Sequence, residues 1–305
     1  MRSQRGLAAV TAILVVAVAA SAAMLMLAQQ SAMLDQTLLV ASRAQADQYA
    51  RAGLDWARGV LFEDAVAAGG YDSLDEGWAQ PIAALPVERA VVSGAIADEQ
   101  GKFNLNNLVA GTQTSKPDVE VFKAILASQG LAPELADAVI DWIDPNEDLT
   151  GTAGAESAYY LSLKRPYRAA NQQMKQVEEL YRVRGFDAAS VRKLRPYVTA
   201  LPGRTAVNIN TASEVVLSAL MPTMPPADIA KLVQTRAGKP MKSRDAIVAW
   251  AKNATVPAAD ALDVKSANFM VTIRVAQDDV ELASEALVKR LPNAAPVIIW
   301  RRPRY

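Results

Sequence analysis

Two residue types are missing from the sequence: none of its 305 residues is a cysteine or a histidine. Their absence excludes disulfide bonds, thiol nucleophiles, imidazole bases and the usual ligands of zinc and haem. A metal site in this chain must therefore be built from oxygen ligands, which suit calcium and magnesium. Serine with lysine, or paired carboxylates, remain as catalytic groups, but no motif joins them. The sequence predicts a protein that is not an enzyme.

The sequence has no excess of charge of either sign, since Lys and Arg together number 32 and Asp and Glu together number 32. Proteins that bind nucleic acid through its phosphates usually carry an excess of basic residues. This balance therefore argues against nucleic acid as a partner. With 51% hydrophobic and 21% charged residues, the chain is not disordered, and its length suffices for two compact domains.

Charge is absent altogether between Leu7 and Ala28. At about 1.5 Å per residue this segment would form a helix roughly 33 Å long, which matches the hydrocarbon core of a bilayer. Arg2 and Arg5 precede it, so the positive-inside rule places the short leader in the cytoplasm. The sequence thus predicts a single-pass protein of the inner membrane whose C-terminal part lies in the periplasm.

Three interpretations of this N-terminus remain open: a cleaved secretory signal, a plain membrane anchor, and the start of a pilin-like subunit. The apolar segment is longer than the roughly 7 to 15 residues typical of a secretory signal, although Ala20, Ala22 and Ala23 imitate a signal cleavage site. The leader MRSQRG resembles that of a prepilin, which its own peptidase cuts after the glycine. On that interpretation Gly6 and Leu7 form the predicted cleavage site.

The fifth residue counted from Leu7 is Thr11, where the major pilin-like subunits carry a glutamate. A carboxylate within the bilayer is costly unless it is paired, and in pilin-like subunits it is thought to pair with the N-terminal amine of the neighbouring subunit. A subunit with no neighbour ahead of it needs no such carboxylate. On the pilin-like interpretation, Thr11 therefore indicates a subunit at the tip of a fibre.

Beyond the membrane segment, the pattern indicates a helix, then strands, then a long interruption, then strands again. Apolar residues three and four positions apart continue the helix to about residue 65, as an amphipathic helix requires. A β-branched run around Val91 begins a sheet. Phe269, Val271, Ile273 and Val275 then recur at every second position, the period of a half-buried antiparallel strand.

The residues between these strands read as a series of short helices separated by Pro and Gly. The prediction is an α+β protein, in which a transmembrane helix continues into a pilin-like, helix-on-antiparallel-sheet domain that carries a large all-α insertion. The predicted ranges are 1–6 for the leader, 7–28 for the transmembrane helix, 29–107 for the first part of the pilin-like domain, 108–265 for the insertion and 266–305 for the strands that complete the sheet.

An acidic loop in the insertion is the candidate metal site. Its oxygen-bearing residues are Asp141, Asp144, Asn146, Asp148 and Glu156. Asp141 and Asp144 are three positions apart and share a face if the helix persists. Calcium takes six to eight oxygen ligands on adaptable loops, although the spacing is not that of an EF-hand. The alternative is a helix that ends at Asp144-Pro145 and a solvated acidic turn after it.

Residues 205–247 resemble a helix-hairpin-helix module of the kind found in DNA-binding proteins. In those modules hairpin glycines let backbone N–H groups approach a phosphate. Here the hairpin reads MPTMPP, and Thr223 and Pro225 occupy the glycine positions. Because proline has no N–H to donate, the module is interpreted as degenerate, and the chain is not expected to bind DNA.

Several segments together resemble one family, the type II secretion system minor pseudopilin K (general secretion pathway protein K) family. They are the uncharged segment after Gly6, DEQGKFNLNNL (98–108), DWIDPNEDLTGTAGAESAYY (141–160), PYRAANQQM (166–174), VEELYRVRGF (177–186) and VNINTASEVVLSAL (207–220). The resemblance spans nearly the whole chain. It implies a pilin-like domain with a helical insertion, at the tip of the pseudopilus that exports folded proteins across the outer membrane.

The resemblance also implies partners and a cofactor. The expected partners are minor pseudopilins I and J, other pseudopilins, the prepilin peptidase and the inner membrane, with calcium bound in the insertion. Two alternatives remain: a minor subunit of a related pilus or DNA-uptake fibre, and a membrane-anchored helix-hairpin-helix DNA-binding protein.

Overall fold

The computed structural model describes residues 3–67, 70–252, 254–292 and 294–303, with side chains from residue 9 onward. Its first element is helix α1, Ser3–Ala67, an unbroken helix of 65 residues. Residues 9–41 of this helix are all exposed. The helix is long and apolar enough to cross a membrane. The predicted continuation of the apolar N-terminal helix into the folded domain is confirmed.

The remaining elements lie beyond α1. The strands are β1 (Ile82–Val87), β2 (Ala90–Asp98), β3 (Phe103–Asn104), β4 (Val109–Ala110), β5 (Gln113–Thr114), β6 (Val198–Thr199), β7 (Val207–Asn208), β8 (Leu262–Asp263), β9 (Asn268–Gln277), β10 (Val280–Leu291) and β11 (Ala294–Pro303). The helices are α2 (Lys116–Ser128), α3 (Leu135–Ile143), α4 (Ser157–Leu161), α5 (Ala188–Leu194), α6 (Glu214–Leu220), α7 (Pro226–Thr235) and α8 (Arg244–Ala251).

The pilin-like unit is a five-stranded sheet with strand order β1-β2-β9-β10-β11, in which all neighbours are antiparallel. The upper part of α1 packs on one face of it. The buried helix residues are Ala46, Ala50, Leu54, Ala57 and Leu61, at spacings of three and four. They meet Val271, Ile273 and Val275 of β9, which alternate with less buried residues as the sequence predicts.

Two glycines allow α1 to approach the sheet closely. A Cβ atom on Gly53 of α1 would lie 3.2 Å from Ile273 Cδ1, and one on Gly94 of β2 would lie 3.0 Å from the same atom. The Ile273 side chain therefore fits between the helix and β2 only because both positions lack a side chain. Helix α1 and the centre of the sheet therefore pack as two layers around one hydrophobic core.

The insertion comprises residues 99–267, between β2 and β9, and has its own hydrophobic core. Where the structure describes it, its regular elements are helices and three pairs of two-residue strands, β3 with β6, β4 with β5 and β7 with β8, joined by loops. Phe103 and Leu105, assigned from sequence to the first part of the pilin-like domain, pack in the insertion core. The reason is that the chain turns straight after β2, so that Phe103 stacks on Phe122 of α2 with ring centroids 6.0 Å apart.

The loop after α1 joins the two units. The backbone oxygen of Asp72 accepts hydrogen bonds from Asn208 Nδ2 (3.1 Å) and Asn210 Nδ2 (3.1 Å). Its carboxylate accepts from the Ser266 N–H (2.7 Å) and pairs with Arg290 (2.5 Å). Asp72 is 1% exposed. These bonds fix the insertion to the end of α1 and to the sheet.

Candidate functional site

The acidic loop begins at the end of α3. Asp141 lies in the last turn of this helix and is fully buried, and Asp144 follows the helix and is 3% exposed. Pro145 comes next, and a residue before proline is pushed out of the helical conformation. Accordingly Asp144 has an extended ψ of 153°. The helix therefore ends between the two aspartates, with Asp141 in its last turn and Asp144 at the start of the loop.

Glu156 completes a cluster of three carboxylates. It precedes α4, is 3% exposed, and reaches Asp141 and Asp144 after the Gly-rich segment has folded back. One oxygen from each of the three side chains lies within 4.8 Å of the others. These distances suit three ligands of a single cation.

The cluster contains buried oxygens without partners. Within the described part of the chain, Asp141 Oδ2, Asp144 Oδ1 and both carboxylate oxygens of Glu156 accept no hydrogen bond. None of these three carboxylates forms an ion pair with a described lysine or arginine. Burial of unpaired carboxylates is costly, so the residues present fit a bound cation.

Burial of these unpaired carboxylates raises their pKa values. Burial, followed by repulsion from Asp141, Asp144, Glu147 and Asp148, raises the pKa of Glu156 to about 8. Burial and the Asp141 charge raise the pKa of Asp144 to about 6, and burial raises that of Asp141. Without a cation the site therefore favours protons on its carboxylates.

The other two predicted ligands lie at the edge of the cluster. Asn146 is half-buried, and its Nδ2 donates to Asp144 Oδ2 at 2.9 Å. Its Oδ1 accepts from the Asp148 N–H at 2.6 Å, while the Asp148 side chain is exposed. The structure thus brings Asp141, Asp144 and Glu156 together and leaves Asp148 facing solvent.

Three residues that the sequence analysis did not single out close the loop. Glu147 accepts hydrogen bonds from the Ser157 N–H (3.1 Å) and hydroxyl (2.8 Å) and from Asn171 Nδ2 (3.0 Å). Asn171 has a positive φ of 45°, and its buried Oδ1 accepts no hydrogen bond from the residues that the structure describes. Because Asn171 is distant in sequence, no local spacing could have revealed it.

Gly154 provides the close approach that the site requires. A Cβ at this position would overlap Asp141 Oδ2 and the Thr150 backbone oxygen. The Thr150 N–H donates to Asp141 Oδ1 at 3.0 Å. The loop therefore wraps directly around the Asp141 carboxylate.

A second acidic cluster, Asp64, Asp72 and Glu76, differs in its charge balance. Its ligand atoms also lie within 4.8 Å of one another. However, Arg290 forms ion pairs with Asp64 (2.6 Å) and Asp72 (2.5 Å), and Trp78 Nε1 donates to Glu76 at 2.8 Å. The guanidinium already supplies the positive charge, so this cluster is a structural ion-pair network.

The remaining predicted sites concern the N-terminus and the hairpin. Gly6 and Leu7 lie within α1, and Thr11 is exposed on it; cleavage at Gly6 stays a prediction. In the hairpin, Pro225 caps α7 and Pro226 is its first residue, so neither position offers a backbone N–H. The absence of DNA binding also stays a prediction.

An apolar N-terminal helix, which is a candidate membrane anchor, continues onto an antiparallel sheet and so defines a pilin-like subunit. The helical insertion distinguishes it from a plain pilin. Models of the family described as type II secretion system (T2SS), protein K match residues 101–203 and 207–268. The chain belongs to the type II secretion system protein K family.

Individual relatives agree with this assignment. The type II secretion system protein K of Pseudomonas aeruginosa is 35% identical over 255 residues, which cover 80% of this chain and 76% of the relative. That of Aeromonas hydrophila is 33% identical over 321 residues, 98% of this chain and 97% of the relative. A chain of the GspK-GspI-GspJ complex from enterotoxigenic Escherichia coli superposes with a TM-score of 0.78 at 25% identity, covering 88% of this chain and 99% of that one.

Membership gives the broad role. The chain is a minor pseudopilin of the type II secretion system, a structural component of a protein-transport machine, and its apolar N-terminal helix is a candidate membrane anchor. The expectation of a structural protein and not an enzyme agrees with that family.

Proposed function

We propose that this chain sits at the tip of the pseudopilus and starts or ends the fibre. The observation that carries the proposal is the insertion between β2 and β9, which is fixed to the sheet through Asp72. A subunit enlarged by a rigid second unit does not fit as a repeat along a narrow shaft. Thr11 supports the same position, because the chain lacks the carboxylate with which a major subunit docks beneath its neighbour.

Electron microscopy of assembled fibres, with this chain carrying a gold-binding tag, tests the tip position. Label at one end of each fibre is expected. Label at regular intervals along the shaft would contradict the proposal.

For partners, we propose the minor pseudopilins I and J, together with other pseudopilins. The support is the similarity to a chain of the GspK-GspI-GspJ complex. Co-purification of the tagged full chain with I and J from detergent-solubilised membranes is the expected result. Recovery of the chain without either subunit, when both are expressed, would count against it.

For processing, we propose that the prepilin peptidase cuts between Gly6 and Leu7 and that the mature chain spans the inner membrane once, with residues beyond Ala28 in the periplasm. Mass spectrometry of the N-terminal peptide from the native host is expected to show Leu7 as the first residue. An intact Met1, or cleavage near Ala23, would exclude this processing.

For the acidic loop, we propose a calcium site formed by Asp141, Asp144 and Glu156, with Asn146 and Asp148 at its edge. Calcium, when bound, supplies the positive charge that the three carboxylates lack. Asn146 donates a hydrogen bond to Asp144 and so orients this ligand before calcium binds. Ser157 donates to Glu147 and holds that carboxylate outside the cluster. Isothermal titration of the chelator-treated full chain in detergent is expected to show calcium binding, with magnesium weaker because it demands a smaller octahedral shell.

A further inference from the structure

Arg184 contacts both flanks of the Glu156 segment without belonging to the carboxylate cluster. Its Nη1 donates to the Gly154 backbone oxygen at 3.0 Å. Its guanidinium carbon lies 4.9 Å from the centroid of the Tyr159 ring. Gly154 precedes Glu156 by two residues and Tyr159 follows it by three. One side chain therefore ties the chain on either side of this carboxylate.

The backbone of Arg184 is itself anchored to the aromatic core beneath the site. Its N–H donates to Tyr160 Oη at 3.2 Å, and Tyr160 is fully buried. The Tyr160 ring packs edge-on against Trp142 with centroids 5.2 Å apart, and Trp142 is the neighbour of Asp141 on α3. The same residue thus connects the helix that carries Asp141 to the segment that carries Glu156.

The contacts of Arg184 oppose the repulsion between the carboxylates of the cluster. The acidic side chains around Glu156 repel its carboxylate, and the segment between α3 and α4 is irregular in structure. Repulsion between like charges pushes this segment outward, and an unordered ligand must be ordered at the moment of binding. A contact that holds both flanks reduces that cost.

We propose that Arg184 is a positioning residue of the cation site, which holds the Glu156 segment in the geometry that binds the ion. This inference rests on the calcium site proposed above. Arg184 itself does not bind the ion, since a guanidinium offers only N–H donors and no acceptor atom. Residues that orient metal ligands typically change metal affinity by about 10- to 100-fold when replaced.

The sign of the effect separates this role from simple electrostatics. A guanidinium near a cation site repels the cation, so if only its charge mattered, its removal would strengthen calcium binding. A positioning residue has the opposite consequence, because its loss releases the Glu156 segment. The weakening should appear mainly as faster calcium dissociation, as is usual for changes within one binding site.

The experiment compares four versions of the full chain in detergent: wild type, Arg184→Ala, Arg184→Gln and Arg182→Ala. Calcium affinity is measured by calorimetry, and calcium release by stopped flow with a fluorescent chelator. Arg184→Ala is expected to bind at least about tenfold more weakly and to release calcium faster. Arg184→Gln, whose amide retains a donor for the Gly154 oxygen, should recover part of the loss. Arg182 is an exposed arginine whose backbone oxygen accepts from Tyr167 Oη, and its replacement should change neither quantity.

Two results would overturn the inference. Calcium affinity of Arg184→Ala equal to or higher than wild type, in protein shown by near-ultraviolet circular dichroism to be folded, would exclude positioning. If Arg184→Ala does not fold, unchanged affinity and release in Arg184→Met, which keeps a long unbranched side chain but offers no donor, would exclude it equally. Failure of wild type itself to bind calcium would instead show that the proposed calcium site is wrong, and the role of Arg184 would fall with it.

Discussion

The hydroxyl of Ser266 donates a hydrogen bond of 2.6 Å to Asp98 Oδ2, and so joins the last residue of β2 to the segment just before β9. Thr211 donates to the same oxygen at 2.6 Å and Asn208 at 3.1 Å. The entry and the exit of the insertion therefore meet at a single buried carboxylate. Burial raises the pKa of Asp98 to about 6, despite these donors.

The first prediction is a pH dependence of stability that depends on Asp98. Because its pKa in the folded chain exceeds the ordinary value of 3.8 for an aspartate, the folded state binds the proton more tightly than the unfolded state. Stability from this group therefore rises as pH falls from 7 towards 4, by at most about 1.4 kcal/mol per pH unit. Urea denaturation in saturating calcium should show a steeper rise in wild type than in Asp98→Asn. Parallel pH profiles for the two proteins would refute this assignment.

The second prediction concerns calcium and Glu156. Chelator should lower the melting temperature of the full chain. Calcium at about 100 times its dissociation constant should add back roughly 2.7 kcal/mol to the free energy of unfolding. Glu156→Gln should abolish most of the response. It should also raise the melting temperature of the metal-free protein, because it removes a buried carboxylate that its neighbours repel. Asp148→Ala, at an exposed position, is the control and should retain much of the response.

The third prediction concerns Gly154. In Gly154→Ala the new methyl group would overlap the Asp141 carboxylate, so the loop must move and calcium affinity should fall. Gly59→Ala is the matched control, because a Cβ there meets no atom of the described residues within 4 Å, and alanine is the better helix former by about 0.5–1 kcal/mol. Calcium titration of both variants checks the contrast. Equal affinities would mean that the loop does not need its close approach to Asp141.

The fourth prediction concerns Arg290, whose side chain is 12% exposed and pairs with the nearly buried Asp72. Arg290→Met leaves Asp64 and Asp72 as uncompensated charges and should destabilise the chain by about 3 to 5 kcal/mol. Arg89→Met removes a surface ion pair with Asp278, in which the arginine is 75% exposed, and should cost no more than about 1 kcal/mol. The two free energies of unfolding are compared by urea denaturation. Similar losses would show that burial does not set the strength of these pairs.

Much of the fold was accessible from sequence because it is periodic. The alternation of Phe269 to Val275 predicted β9, and helical spacing predicted most helices of the insertion. The segment 174–185 also reads as helical, and the structure has a 3₁₀ helix there, at Val177–Arg182. The insertion begins earlier than predicted, since the destination of Phe103 depends on contact with Phe122, which local patterns do not encode.

The candidate site was only partly accessible for the same reason. Asp141 and Asp144 share a helix end, and Glu156 lies in the same acidic stretch, so all three could be named from spacing. Asn171 and Arg184 each lie 24 positions along the chain from their partners, Glu147 and Tyr160 respectively. Their contribution depends on how the insertion folds back on itself, which spacing does not reveal.

Helix α1 has a mechanical consequence. It runs from Ser3 to Ala67 without a break, and its upper part is locked to the sheet by the packing of Ala50, Leu54 and Ala57. An α-helix is stiff along its axis because each turn is bonded to the next. A push along the axis of α1 would therefore reach the sheet directly and, through the ion pair of Asp72 with Arg290, the insertion.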